Sequence, residues 1–226
     1  MSWIASLFRS TLMIKAVMAV TGLMLFGFVL GHMLGNLKLF AGPDDLNTYA
    51  EFLREVGYPA LPHEGLLWIA RLGLLAAVGL HIWSAWRLTV INRSARPTGY
   101  AVTPTWQKST YASRTMRWSG VIVSFFIVYH LLHFTTGHVH SDFIPGDVYH
   151  NVVSGFSQPL IAGVYIVANL LLGMHLYHGL WSLFQSLGAS GPRMDRFRHQ
   201  FAVAFSALIV LGNLSFPISV LAGFVH

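Results

Sequence analysis

Five long apolar runs constrain this chain more than any other feature. A helix needs about 20 mainly apolar residues to cross the hydrocarbon core of a membrane. Such runs occur at residues 14–36, 65–89, 117–137, 159–184 and 201–224. Because a helix satisfies its own backbone polar groups in lipid, we expect all five to be transmembrane helices. With 54% hydrophobic residues, 10% charged residues and a mean hydropathy of +0.58, the composition excludes an ordinary soluble domain. The sequence therefore predicts an all-α bundle of five transmembrane helices, with residues 1–226 forming one membrane domain.

The distribution of Lys and Arg predicts the orientation of the chain. With the N-terminus inside, eleven basic residues lie inside: Arg9, Lys15, Arg87, Arg93, Arg96, Lys108, Arg114, Arg117, Arg193, Arg196 and Arg198. Three lie outside: Lys38, Arg54 and Arg71. Cytoplasmic loops carry the excess of basic residues, so we expect a cytoplasmic N-terminus. We also expect the first run to be retained, because it lacks a small-residue cleavage site. The net charge of +6 is spread over short loops and does not indicate a nucleic-acid partner.

Two of the connecting segments have a character of their own. Residues 43–57, on the outer side, place apolar residues at helical spacing after Pro43 and Asp44, which predicts a short amphipathic helix. The inner loop at residues 90–116 is basic and contains Pro97 and Pro104. This loop is either a docking surface for a partner or a plain positive-inside loop.

Six of the twelve histidines fall within the predicted spans. They are His32, His81, His130, His133, His175 and His178. Ionisable residues inside a membrane are costly and are functional candidates by default. The alternative is a neutral imidazole that bonds a neighbouring helix. The chain has no cysteine, which excludes thiolate metal sites and iron–sulfur clusters held by this chain.

An internal repeat distinguishes four of these histidines from the other two. Thr-Gly at residues 21–22 precedes His32, and Ser-Gly at residues 119–120 precedes His130, with ten residues from Gly to His in both cases. The segment that begins at His81 matches the segment that begins at His175, with an aromatic residue two positions on and a small residue four positions on. Helices one and two therefore resemble helices three and four, as two copies of one hairpin.

The depth of each histidine arranges these four as two pairs. Counted from the innermost polar residue of their helices, His32 and His130 lie roughly 25 and 20 Å deep. His81 and His175 lie roughly 9 and 15 Å deep. This predicts an outer pair and an inner pair, each joining the two hairpins. By depth alone, His133 matches His32 slightly better than His130 does. In the same way, His178 matches His81 slightly better than His175 does. His133 and His178 therefore stay as alternative members.

Two imidazoles on opposite sides of a flat ring are typical axial ligands of haem. The chain has no C-x-x-C-H motif, so any haem is held non-covalently. Two pairs at two depths predict two haems b, each with both axial positions closed, as suits electron transfer. Arg87 and Arg117 lie inward of the inner pair and are candidate partners of haem propionates, or else snorkel to the interface.

Three segments resemble the cytochrome b membrane anchor of succinate:quinone oxidoreductases. They are KAVMAVTGLMLFGFVLGHMLGNL (15–37), RTMRWSGVIVSFFIVYHLLHF (114–134) and MHLYHGLWSLFQSLG (174–188). The H-x-x-x-G-L-W pattern that begins at His175 is the most specific part of this similarity. The form resembled is the single-chain, five-helix, diheme anchor of bacterial succinate dehydrogenases and fumarate reductases.

The resemblance implies partners, cofactors and a location. A flavoprotein with FAD and an iron–sulfur protein would dock on the cytoplasmic side of the bacterial inner membrane. Electrons from succinate would pass from them to the inner haem, the outer haem and a quinone, with menaquinone favoured. This chain would not itself oxidise succinate, since it has no flavin fingerprint. Candidate quinone contacts are Tyr49, His63 and Glu64 on the outer side, and Ser84 and Trp86 on the inner side.

Two other functions remain open from the sequence. The chain is also compatible with the diheme cytochrome b subunit of a hydrogenase or formate dehydrogenase. A haem-free transport or structural protein, whose histidines only join helices, is the alternative from a different class.

Overall fold

The computed structural model describes residues 10–95, 111–186 and 191–226, and the regular structure within these ranges is helical, without any strand. The helices are α1 (Thr11–Asn36), α2 (Pro43–Glu55), α3 (Gly65–Ser94), α4 (Tyr111–His130), α5 (Val148–Phe156), α6 (Pro159–Ser186) and α7 (Pro192–Leu221). A 3₁₀ turn (Leu37–Ala41) extends α1, and a π-helical turn (Leu131–Thr135) extends α4. Five of these helices (α1, α3, α4, α6 and α7) are long and apolar enough to cross a membrane. The predicted five-helix membrane bundle is therefore confirmed.

The ends of the helices depend on capping and backbone preference rather than on apolarity alone. Helix α1 begins at Thr11, because the Ser10 hydroxyl caps it and accepts a hydrogen bond from the Met13 N–H at 3.1 Å. Helix α7 begins at Pro192, directly after Gly191, nine residues before the apolar run. Proline suits the first turn of a helix, where its missing N–H has no partner to lose. The spans therefore project beyond the apolar segments that predict them.

The packing of the five long helices follows the two predicted hairpins. Helix α1 packs along α3 and helix α4 along α6, while α7 packs on α6 and also reaches α1. A buried cluster of Met33, Leu180, Ala202 and Ile209 joins α1, α6 and α7. In the described part of the chain, α1 with α4 and α3 with α6 form no extended backbone contact. These are the two helix pairs that carry the facing histidines.

Two short helices close the end of the bundle that we expect to be outside. The predicted amphipathic helix at 43–57 is confirmed as α2, whereas α5 lies in a segment for which no helix is predicted. Asn47 on α2 joins them: its amide donates to Asp147 Oδ1 at 2.9 Å and its carbonyl oxygen accepts from the Tyr149 N–H at 3.0 Å. Leu46 and Phe156 are buried in the core beneath this junction.

The basic inner loop predicted at 90–116 lies largely outside the described residues. Residues 96–110, with both of its prolines, are not among them. A role for this loop in docking therefore stays a prediction.

Candidate functional site: two facing histidine pairs

Four histidines of the long helices face each other in two pairs. His81 on α3 and His175 on α6 have ring centroids 6.3 Å apart, with the ring planes at 70°. His32 on α1 and His130 on α4 have ring centroids 5.8 Å apart, with the planes at 86°. Each pair joins one helix of the first hairpin to one helix of the second. These are the four residues that the sequence repeat distinguishes.

A hydroxyl group lies beside Nδ1 of each ring of the inner pair. Thr21 Oγ1 lies 3.3 Å from His81 Nδ1, and Ser119 Oγ lies 3.5 Å from His175 Nδ1. Both hydroxyls donate their hydrogen to a carbonyl of their own helix, that of Val17 or Met116. The oxygen therefore accepts from the ring, so that the proton lies on Nδ1 and Nε2 is left for a ligand.

Glycine makes room for the same two rings. A β-carbon at Gly22 would lie 3.3 Å from Cε1 of His81, and one at Gly120 would lie 3.2 Å from Cε1 of His175. The Thr-Gly and Ser-Gly dipeptides that reveal the repeat thus contact the histidine of the neighbouring helix. The sequence repeat therefore identifies these dipeptides, but sequence spacing alone does not predict which histidine ring each dipeptide contacts.

The outer pair has a different set of neighbours. The ring of His32 stacks on Phe28 with a centroid distance of 5.3 Å. Nδ1 of His130 lies 3.4 Å from the hydroxyl of Tyr165, a residue of α6 that sequence reasoning missed. A lone tyrosine in an apolar span gives no signal of such a role without the fold. The hydroxyl of Tyr165 leaves Nε2 of His130 for a ligand, as the two hydroxyls do in the inner pair.

His133, the alternative to His130, contacts a different set of residues. It is fully buried, and its Nδ1 lies 3.0 Å from the Tyr165 hydroxyl. Its ring stacks on His140 with centroids 4.6 Å apart, and no ring contact joins it to His32 in the described residues. His140 is held in turn, because its Nε2 bonds the Asn151 carbonyl at 2.9 Å.

His178, the alternative to His175, contacts an aromatic ring instead of His81. Its ring meets Trp181 edge to face at 6.0 Å, and its buried Nδ1 has no hydrogen-bond partner among the described residues. The guanidinium of Arg198 lies 5.6 Å from the centre of the same Trp181 ring and forms an ion pair with Asp195 at 2.8 Å.

The other candidate side chains form no common site. Arg87 is half-buried and Arg117 is exposed, and neither makes an ion pair with a described residue. Among the quinone candidates, Glu64 pairs with arginines and His63 with Glu51, while Tyr49 lies against Gly35 and Lys38. Ser84 is buried with no partner for its hydroxyl among the described residues, and Trp86 is 60% exposed. The geometry does not single out one of them.

The residues present fit two bis-histidine haems. Each ring nitrogen would lie about 2 Å from the metal, and each ring centre lies further from the metal than its nitrogen. Together these distances put the two ring centres about 6 Å apart. The observed 6.3 and 5.8 Å agree with this value. The backbones that carry each pair also stand apart, as a macrocycle between the rings requires.

Comparison with known proteins gives the family. A family model described as the succinate dehydrogenase/fumarate reductase transmembrane subunit matches residues 92–212, more than half of the chain. The matched segment contains the second hairpin, with His130 and His175. Searches of curated proteins and of solved structures found no match. The chain therefore belongs to the family of succinate dehydrogenase/fumarate reductase transmembrane subunits.

Proposed function

We propose that this chain is the diheme cytochrome b anchor of its complex and carries electrons between an iron–sulfur subunit and membrane quinone. The family makes the chain a multi-pass membrane subunit of a succinate dehydrogenase/fumarate reductase complex, associated with the other subunits. The observation that carries the finer proposal is the facing of two histidine pairs, each of which joins one helix of the first hairpin to one helix of the second. Family membership favours this function over a hydrogenase or formate dehydrogenase subunit.

Each pair has a defined part in this proposal. His81 and His175 hold the inner haem b, and His32 and His130 hold the outer one. Haem with two histidine ligands supplies a one-electron centre with no open axial position. The surrounding residues hold the ligands in place, since buried hydroxyls orient the rings and glycines admit them. We leave His133 and His178 outside the ligand set because, among the described residues, neither ring contacts a histidine of the first hairpin.

The expected cytoplasmic end of the bundle supports the proposed partners. Arg87 and Arg117 lie toward this end and are the candidate partners of haem propionates. The exposed Arg193 and Arg196 at the start of α7 add positive charge to the same end. We propose that the iron–sulfur subunit docks here and links the anchor to the FAD flavoprotein, in the cytoplasmic membrane of a bacterium. Menaquinone is the favoured quinone.

The native complex tests this proposal directly. We expect the purified complex to contain two haems b per copy of this chain, measured as the pyridine haemochrome, and to reduce a menaquinone analogue with succinate. A complex that transfers electrons from succinate to quinone but contains no haem would contradict the proposed role of the histidine pairs. A complex with two haems but no flavoprotein partner would contradict the proposed assembly.

A further inference from the structure

Tyr165 of α6 bridges two histidines of the neighbouring helix. Its hydroxyl lies 3.4 Å from Nδ1 of His130 and 3.0 Å from Nδ1 of His133. Tyr165 is 4% exposed and His133 is fully buried, so that little water reaches the bridge. Phe126 and Phe156 meet the Tyr165 ring edge to face, each with a centroid distance of 5.0 Å, and hold it in place.

Ligation of His130 would give this bridge a single direction. A neutral imidazole has one N–H, and when Nε2 binds a metal the proton lies on Nδ1. The Nδ1–H of His130 then donates to the oxygen of Tyr165. The single hydrogen of the phenol is left to donate to Nδ1 of His133. Every hydrogen of the bridge has a defined position in this arrangement.

We propose that Tyr165 is a positioning residue for the outer histidine pair, whose hydroxyl accepts the Nδ1–H of His130 and turns Nε2 toward His32. This inference rests on the proposed function, since it assigns a role toward the outer haem. A hydrogen bond to the far nitrogen of a ligating histidine orients the ring and raises its basicity. Tyr165 thus does for the outer pair what Thr21 and Ser119 do for the inner pair.

The outer pair depends on this bond more than the inner pair depends on either hydroxyl. Both rings of the inner pair have a hydroxyl partner. Within the described ranges, His32 makes no hydrogen bond, and its ring contacts are with Phe28 and His130. Among the residues that the structure describes, Tyr165 therefore provides the one hydrogen bond of the outer pair, and its loss has no compensation from the partner ring.

The test replaces Tyr165 by phenylalanine in the whole complex. In Tyr165→Phe, we expect the midpoint potential of the outer haem to rise, because a less basic ligand stabilises the oxidised iron less. We also expect outer haem to be retained roughly 10- to 100-fold more weakly, the usual effect of losing such a partner. The inner haem should be unchanged. A redox titration that follows both haems, with low-spin electron paramagnetic resonance, measures these effects.

Tyr129→Phe is the matched control. Tyr129 belongs to the same aromatic group, stacked on His133 at 5.5 Å, but its hydroxyl bonds no described residue. Replacing it removes a hydroxyl from the same region without touching the bridge. The outer haem is identified as the one that a His130→Leu variant loses.

The outcomes separate this inference from the proposed function. Two haems in the wild type, with Tyr165→Phe no different from Tyr129→Phe or with only the inner haem shifted, would overturn the role of Tyr165 alone. A wild-type complex without haem would overturn the proposed function itself. If Tyr165→Phe does not accumulate, 3-fluorotyrosine at this position keeps the packing and weakens the oxygen as acceptor. The 3-fluorotyrosine variant should raise the midpoint potential of the outer haem by less than we expect for Tyr165→Phe. An unchanged potential would count against the proposal.

Discussion

Oγ1 of Thr21 lies 3.3 Å from Nδ1 of His81, across the interface between α1 and α3. The same hydroxyl donates its hydrogen to the Val17 carbonyl at 2.7 Å, so its oxygen is free only to accept. The second hairpin repeats the arrangement with Ser119 and His175. A hydroxyl that satisfies its own helix thus also sets the tautomer of a histidine on the next one.

Removal of these hydroxyls should weaken the inner haem selectively. In Thr21→Val or Ser119→Ala, we expect roughly 10- to 100-fold weaker haem retention at the inner pair, because the ring loses the acceptor that orients it. Titration of the remaining haem after detergent washing measures the loss. Thr89→Val and Ser124→Ala are the controls, since among the described residues these hydroxyls bond only a carbonyl of their own helix. Equal losses in test and control variants would contradict the role of the hydroxyls.

Gly22→Ala should disturb the inner haem without weakening the bundle. The new methyl group would lie 3.3 Å from Cε1 of His81, closer than ordinary van der Waals contact, so the ring must tilt. Alanine in place of glycine favours a helix by roughly 0.5–1 kcal/mol, so thermal stability should not fall. We expect a shifted optical and resonance spectrum of the inner haem only. At Gly27, no described residue beyond the adjoining turns of the same helix lies within 4 Å of an added β-carbon, so Gly27→Ala should leave the spectrum as in the wild type.

His130 and His133 should differ sharply when each is replaced by leucine. We expect His130→Leu to leave one haem per chain, because His130 is the ring that faces His32. His133→Leu should keep two, because His133 lies against Tyr165 and His140. The pyridine haemochrome, referred to the protein concentration, measures both. The opposite pattern would show that His133 is the ligand.

Much of the fold is predictable from the sequence because lipid imposes a single requirement on a spanning segment. Apolar length predicts all five spans, and Pro43, Asp44 and helical spacing predict α2. Helix α5 is not predictable in this way. It has only nine residues, three of them valine, and it depends on Asp147 as its cap and on contacts with α2 and α6. Short helices of this kind form through tertiary packing rather than through propensity.

The facing of the four histidines is predictable from the sequence repeat, but the residues that surround them are not. The repeat selects His32, His81, His130 and His175, and these four do face each other. Their partners are on other helices, and sequence spacing contains no information on which face of one helix meets the next. Tyr165 is the clearest case, since it lies 35 residues from the His130 ring that it contacts.

Acid should loosen the junction between α2 and α5. The backbone N–H of His150, and after it the side-chain amide of Asn47, hold the pKa of Asp147 below its usual range. The stabilisation by this carboxylate is therefore complete above the unfolded-chain pKa of about 4. It is lost as the pH falls through the lower folded-state pKa. Hydrogen exchange of the α5 amides across the acid range measures it, and we expect Asp147→Asn, which keeps an acceptor oxygen, to flatten the pH dependence.

The π-helical turn directly after His130 has a consequence for the choice of ligand. The Thr136 N–H bonds the Leu131 carbonyl, five residues back, at 2.9 Å. In a regular α-helix, residues three apart lie near each other on the same face, so both imidazoles would project in similar directions. The wider turn advances the chain by a smaller angle per residue and puts the two rings out of phase. With one extra residue in this turn, the His130 ring meets His32 and the His133 ring meets His140, while the Tyr165 hydroxyl lies within reach of both.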